Sequence, residues 1–179
     1  MREIARAAGV GQGTLYRRFP HKGALCRALM EDNFAALHDR FAVQLADCLE
    51  PALDQVAWLL TSLLDFTEAN APMLQAIGGP ACEDRFRDPG AVRLHALLCG
   101  LLDRAVARGE TPPLDTVCVA DALLAPCDPD LYLFQRRDRG FAPERIAETL
   151  RALVAGLRAA SPMAPARMVQ DQALPAPAL

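Results

Sequence analysis

A chain of 179 residues is long enough for a small binding unit plus one body with its own core, and its net charge of −3 does not by itself point to a polyanionic partner. No apolar run is long enough to span a bilayer and no secretory segment opens the chain, so a cytoplasmic protein with no membrane partner is expected. The charge is uneven, however: residues 1–30 hold six basic side chains against Glu3 alone, a local +5 that leaves −8 for the remainder.

Taken in order, nearly every segment reads as helix, and an all-α fold follows. Residues 2–8 form a short helix ended by Gly9, and residues 12–19 a second one stopped by Pro20. Residues 22–49 read as one long helix, because Leu25, Leu29, Phe34, Leu37, Phe41 and Leu45 keep helical spacing. Glu50-Pro51 breaks it. Pro51 starts a helix over about 51–69 with Val56, Leu59, Leu60, Leu63 and Leu64 on one face, and a short helix follows at 71–77. After a Gly/Pro-rich loop, residues 91–108 are amphipathic and Gly109 closes them. Asp115 is an N-cap candidate for 116–137, which is interrupted near Pro126 and Pro129. A last helix starts at Pro143. Residues 161–179, rich in Pro and Ala, bury too little to order themselves. The expected division is a helix-turn-helix head over 1–40, a helical body over 41–160 and a tail over 161–179.

The informative stretch is 2–22, a helix, a tight turn at Gly9 and a second helix. Ile4, Ala5 and Ala8 are expected to face inward from the first helix, and Leu15 and Phe19, four apart, from the second. The other side of the second helix then shows Gln12, Thr14, Tyr16 and Arg17, whose lengths and hydrogen-bonding groups suit bases and phosphates in a major groove. Lys22, the only lysine, stands in the first turn of the third helix, where a cation opposes the helix dipole unless a phosphate is near.

The run Gly-Val-Gly-Gln-Gly-Thr-Leu-Tyr-Arg-Arg-Phe-Pro-His-Lys at 9–22 resembles the turn, recognition helix and following helix start of the TetR family of bacterial transcriptional regulators. The resemblance implies that Gln12 and Arg17 read bases, that Thr14, Tyr16 and Lys22 hold phosphates, that Gly13 leaves room for backbone approach, and that Arg18 serves either role. Leu15 and Phe19 would be structural. His21 departs from the small polar cap usual in the family, which implies a weaker cap. The family places a further helix before the position of Met1. The chain as given would then start within the second family helix, leave Ile4, Leu15, Phe19 and Leu25 with less apolar cover, and bind DNA weakly or not at all.

The resemblance also implies a repressor that acts as a homodimer on double-stranded operator DNA and is released by a small hydrophobic effector. Two apolar stripes over 116–137 and 143–159, including Leu131, Tyr132, Phe134, Ile146, Leu150, Leu153 and Leu157, suit a four-helix dimer interface. Trp58, Phe66, Met73, Phe86, His95 and Cys99 are candidate linings of an apolar effector cavity, each of which also reads simply as core. Effector binding would shift a population of body geometries, with the helix 22–49 carrying the movement to the heads.

Other classes find little support. The six cysteines include no C-x-x-C pair and no histidine at zinc-ligand spacing, so buried free thiols are expected, Cys82 among charges being the exception, with neither metal nor cofactor. A Gly-rich phosphate loop and a nucleophilic constellation are both lacking, so an enzyme is not expected. The alternative is a helical interaction protein that has lost DNA binding.

Overall fold

Gly9 sets the first corner of the chain. Helix α1 (Arg2–Ala7) ends at Ala8, Gly9 then takes φ +65°, a left-handed conformation that glycine adopts without steric cost, and the Val10 N–H returns to the Ala5 carbonyl at 3.1 Å. Helix α2 (Gln12–Arg18) stops where Phe19 turns extended ahead of Pro20. The structure, a computed structural model, describes residues 1–46, 49–78 and 87–158, so the tail expected over 161–179 lies outside the described residues. Helix α3 (Lys22–Leu29) opens on His21, whose Nδ1 accepts the Ala24 N–H at 3.1 Å, so this unusual residue does make the capping bond.

The single helix expected over 22–49 is two helices. At Met30 the N–H is shared between the Cys26 and Arg27 carbonyls, both at 3.0 Å, ψ opens to −1°, and α4 (Glu31–Leu45) leaves in a new direction. Met30 is fully buried at this break. Burying it holds the bend, although no glycine or proline marks it. The expected boundary at residue 40 falls inside α4.

Helix α5 (Ala52–Gly78) is the axis of the body. It packs against α3, α6 (Pro89–Ala107), α8 (Pro129–Arg137) and α9 (Pro143–Gly156). Contact on several sides explains why Leu53, Val56, Leu59, Leu60, Leu63 and Leu64 are all buried, along with Gln55, Ser62 and Thr67. Gln55 Oε1 accepts from Arg104, and Thr67 donates to the Cys127 carbonyl at 3.4 Å, so these polar groups enter the core with partners. The start of α5 is fixed from a distance. The Glu110 carboxylate accepts the Ala52 and Leu53 N–H groups, both at 2.9 Å, because Gly109 at φ +69° turns the chain back there.

Separate helices expected at 51–69 and 71–77 are also corrected, since α5 runs through Pro72. Proline cannot bond to the carbonyl four residues back, but the neighbouring turns are held by burial of Ala71 and by α3, which lies against the carbonyls of Ala76 and Ile77. Helix α7 (Thr116–Leu124) is capped by Asp115, a 3-10 turn spans Ala125–Cys127, and Asp128 caps α8 ahead of Pro129, as the interrupted segment 116–137 predicts. Leu37, Phe41 and Leu45 of α4, Leu98, Leu101 and Leu102 of α6, and Tyr132, Ile146, Leu150 and Val154 close the core around α5.

Candidate nucleic-acid interface

Helix α2 buries one side chain and shows the rest. Leu15 turns inward with Ala5 of α1 beneath it, and Phe19 is half-buried. That anchoring fixes the opposite side: Gln12, Gly13, Thr14, Tyr16, Arg17 and Arg18 are all exposed, as is Lys22 at the start of α3. Ile4, at 36% exposure, and Ala8 face solvent rather than inward. The short α1 packs on α2 and buries only Ala5, leaving Ile4, Ala7 and Ala8 exposed.

Electrostatically the helix carries unspent charge. Among the described residues no carboxylate pairs with Arg17, Arg18 or Lys22. Arg17 Nε makes a long 3.4 Å bond to the Gly13 carbonyl, and the Arg18 guanidinium lies 5.8 Å from the centre of the Phe19 ring. A Cβ built on Gly13 would meet nothing within 4 Å, so no packing within this chain demands glycine there. Arg2 and Arg6, four apart on α1 and exposed, add to the cationic surface of the head. Their spacing of four residues on a helix is the sequence signal that identifies them, although they lie outside the 9–22 run.

The residues expected around an effector do not meet in one cavity. Phe66 lines an open groove of about 440 Å³ between α4 and α5, with Asn33, Ala36, Leu37, Arg40, Asp65 and Asn70. The Phe34 ring stands 5.7 Å from that of Phe66. Trp58 packs edge-on to Phe41 at 5.8 Å, beneath the Arg40 guanidinium, and Met73 is half-buried further along α5. His95 and Cys99 lie elsewhere, where α6 meets α7: His95 Nε2 is 3.2 Å from Asp121 Oδ1, and the Cys99 sulfur is 3.6 Å from His95 Nδ1. Burial and the nearby Asp103 and Asp121 push the Cys99 thiol upward, away from the reactive thiolate form. Phe86 lies outside the described residues. The groove mixes aromatic, amide and charged groups, so it is less apolar than the sequence predicts.

Cysteine placement is also mixed. Cys26 and Cys127 are buried, and burial pushes the Cys127 thiol up to about 12. Cys99 is half-buried and Cys118 is exposed, contrary to the expectation of uniform burial, because α7 turns that side outward with Val117. Cys48 and Cys82 lie outside the described residues. No group of metal-ligating side chains occurs among the described residues, and no helix there is long and apolar enough to cross a membrane.

The residues expected at a dimer interface divide into two sets. Tyr132, Ile146 and Leu150 turn into the protomer's own core and Leu157 is half-buried, since these helices must first close over α5. Leu131, Phe134 and Leu153 are exposed. Val117 on α7 is exposed as well and was not anticipated.

Comparison with known proteins places the head first. The pattern of the family described as "Bacterial regulatory proteins, tetR family" matches residues 1–29. The chain is 38% identical over 82 residues to the HTH-type transcriptional regulator SAR0097 of Staphylococcus aureus (strain MRSA252), a match covering 43% of this chain and 41% of that relative's length. It is 30% identical over 150 residues to the nucleoid occlusion factor SlmA of Sodalis glossinidius (strain morsitans), covering 79% of this chain and 74% of the relative. With the protein of the same name from Vibrio vulnificus (strain YJ016), identity is 28% over 159 residues, covering 85% and 81%.

Proposed function

The chain belongs to the tetR family of bacterial regulatory proteins, and from that premise we propose that it is a DNA-binding transcriptional repressor that works as a cytoplasmic homodimer and is released by a small effector. The observation that carries this reading is the exposed face of α2, whose cations pair with no carboxylate among the described residues. Gln12 and Arg17 offer hydrogen bonds to base edges, Thr14, Tyr16, Arg18 and Lys22 to phosphates, and Gly13 removes the side chain where a backbone would come closest. Leu15 keeps the helix seated while its other side enters a groove.

Two heads must be spaced to match half-sites about one helical turn apart, so a two-fold dimer is part of the reading. Leu131, Phe134 and Leu153, with Val117, supply exposed apolar surface on the helices of the body that suit it. The groove between α4 and α5 is the effector site this geometry supports best, since its volume lies within the few hundred Å³ typical of small-ligand sites. A ligand suited to it carries an aromatic face for Phe66 and polar groups for Asn33, Arg40, Asp65 and Asn70.

The test is selection of bound duplexes from a random library at low salt, where phosphate contacts retain even weak complexes. A palindromic consensus is expected. Tyr16→Phe and Lys22→Gln should weaken binding to all sequences and flatten its salt dependence, whereas Gln12→Ala and Arg17→Ala should relax the consensus by about 1–3 kcal/mol per lost base contact. Enrichment of no sequence, with no salt-dependent binding, would favour a helical interaction protein instead.

A further inference from the structure

The break at Met30 leaves the head joined to the body through the packing of α3 on the end of α5, and a polar contact adds to that joint. Arg27 of α3 pairs with Asp88, the residue that caps α6. The two carboxylate oxygens divide the work. Oδ1 accepts the Gly90 N–H at 3.0 Å, and Oδ2 takes the Arg27 guanidinium. On the other side of this turn, the His38 ring of α4 lies close enough that a methyl on Gly90 would touch its Cε1 at 3.6 Å. His38 Nδ1 donates to the Phe34 carbonyl at 2.8 Å, and among the described residues its buried Nε2 has no partner. The first turn of α6 is therefore gripped by the head through Arg27 and flanked by α4 through His38.

The effector groove abuts this joint. Asn33, one of its lining residues, donates to the Met30 sulfur at 3.6 Å, and Leu37 immediately precedes His38. The geometry points to the Arg27–Asp88 pair, acting beside the break at Met30, as a latch that holds the DNA-reading head at one angle to the body. This deepens the repressor reading and rests on it for its consequence. The latch itself is a property of the free chain. An ion pair this exposed adds little to global stability, so its weight falls on the orientation of the three small helices it restrains.

Amide exchange read by mass spectrometry on the full chain separates the two levels. Asp88→Asn keeps an oxygen for the Gly90 N–H and removes the charge, and Arg27→Gln removes the other partner. Each should speed exchange in α1–α3 by about two- to fivefold, the range set by exposed ion pairs, while exchange in α9 stays unchanged. The double variant should exchange no faster than either single one. Unchanged exchange in α1–α3, additive effects, or an equal rise in α9 would overturn the latch whether or not the chain binds DNA. If the parent binds a selected operator, both variants should bind it several-fold more weakly with the same consensus. Equal affinity would overturn the regulatory role and leave the repressor reading intact.

Discussion

Helices α2 and α5 solve opposite problems with similar apolar residues. In α2, seven residues are anchored by Leu15 and everything else is exposed. In α5, 27 residues are surrounded by four other helices and even Gln55 and Thr67 are drawn inside. A helix held by one side chain can vary its outer face at little cost to folding, whereas a central helix keeps only a narrow exposed strip, such as Asp54, Asp65 and Glu68 of α5, free to vary. The proposed DNA contacts accordingly fall where burial is least.

Substitutions can break or sharpen that contrast. The largest effect is expected from Leu60→Ala on α5, where a fully buried side chain is lost; urea unfolding should show a loss of about 2–5 kcal/mol. Gly23→Ala comes next. Its methyl would stand 2.8 Å from the Ala76 carbonyl, so α3 must lift off the end of α5, and thermal unfolding should report about 1–3 kcal/mol of destabilisation. A smaller, pH-dependent effect is expected at Glu68. The two-pronged bond from Arg136, at 3.0 and 3.2 Å, holds its carboxyl below the usual glutamate range. A carboxyl depressed in the folded state stabilises above its unfolded pKa, and that stabilisation is lost as pH falls through the folded value. Glu68→Gln should therefore lower the urea midpoint slightly at neutral pH and narrow the gap from the parent in acid. Smallest of all, Gln12→Ala, Arg17→Ala and Lys22→Gln should each leave unfolding within about 0.5 kcal/mol of the parent. A cost on the scale of Leu60→Ala at any of them would mean that α2 is seated by more than Leu15.

The head was the more legible part. Gly9, Pro20 and the Leu15–Phe19 spacing define its turn and the exposed side of α2, because such short elements are governed by local signals. Asp115 and Pro143 likewise mark helix starts where they stand. The bend at Met30 was illegible, since periodicity from Leu25 to Leu45 reports which side of a helix is buried and is blind to a change of axis. Pro72 misled in the other direction: a strong local breaker was overruled by packing on both of its flanks. The polar groups that fix long-range geometry, Glu110 at the start of α5 and Asp88 opposite Arg27, have partners 57 to 61 residues away, a separation no local pattern encodes. The effector candidates scattered for the same reason: Phe66 and His95 share apolar helix faces, but only tertiary assembly decides that those faces look onto different neighbours.

Lys22 offers a chemical handle. As the sole lysine, and an exposed one, it is the only side-chain amine in the molecule. An amine-reactive reagent would thus tag one side chain per molecule, at the start of α3 beside α2, which peptide mapping distinguishes from the N-terminal amine. The fraction tagged with and without a duplex becomes a direct footprint of occupancy, obtained without altering any residue.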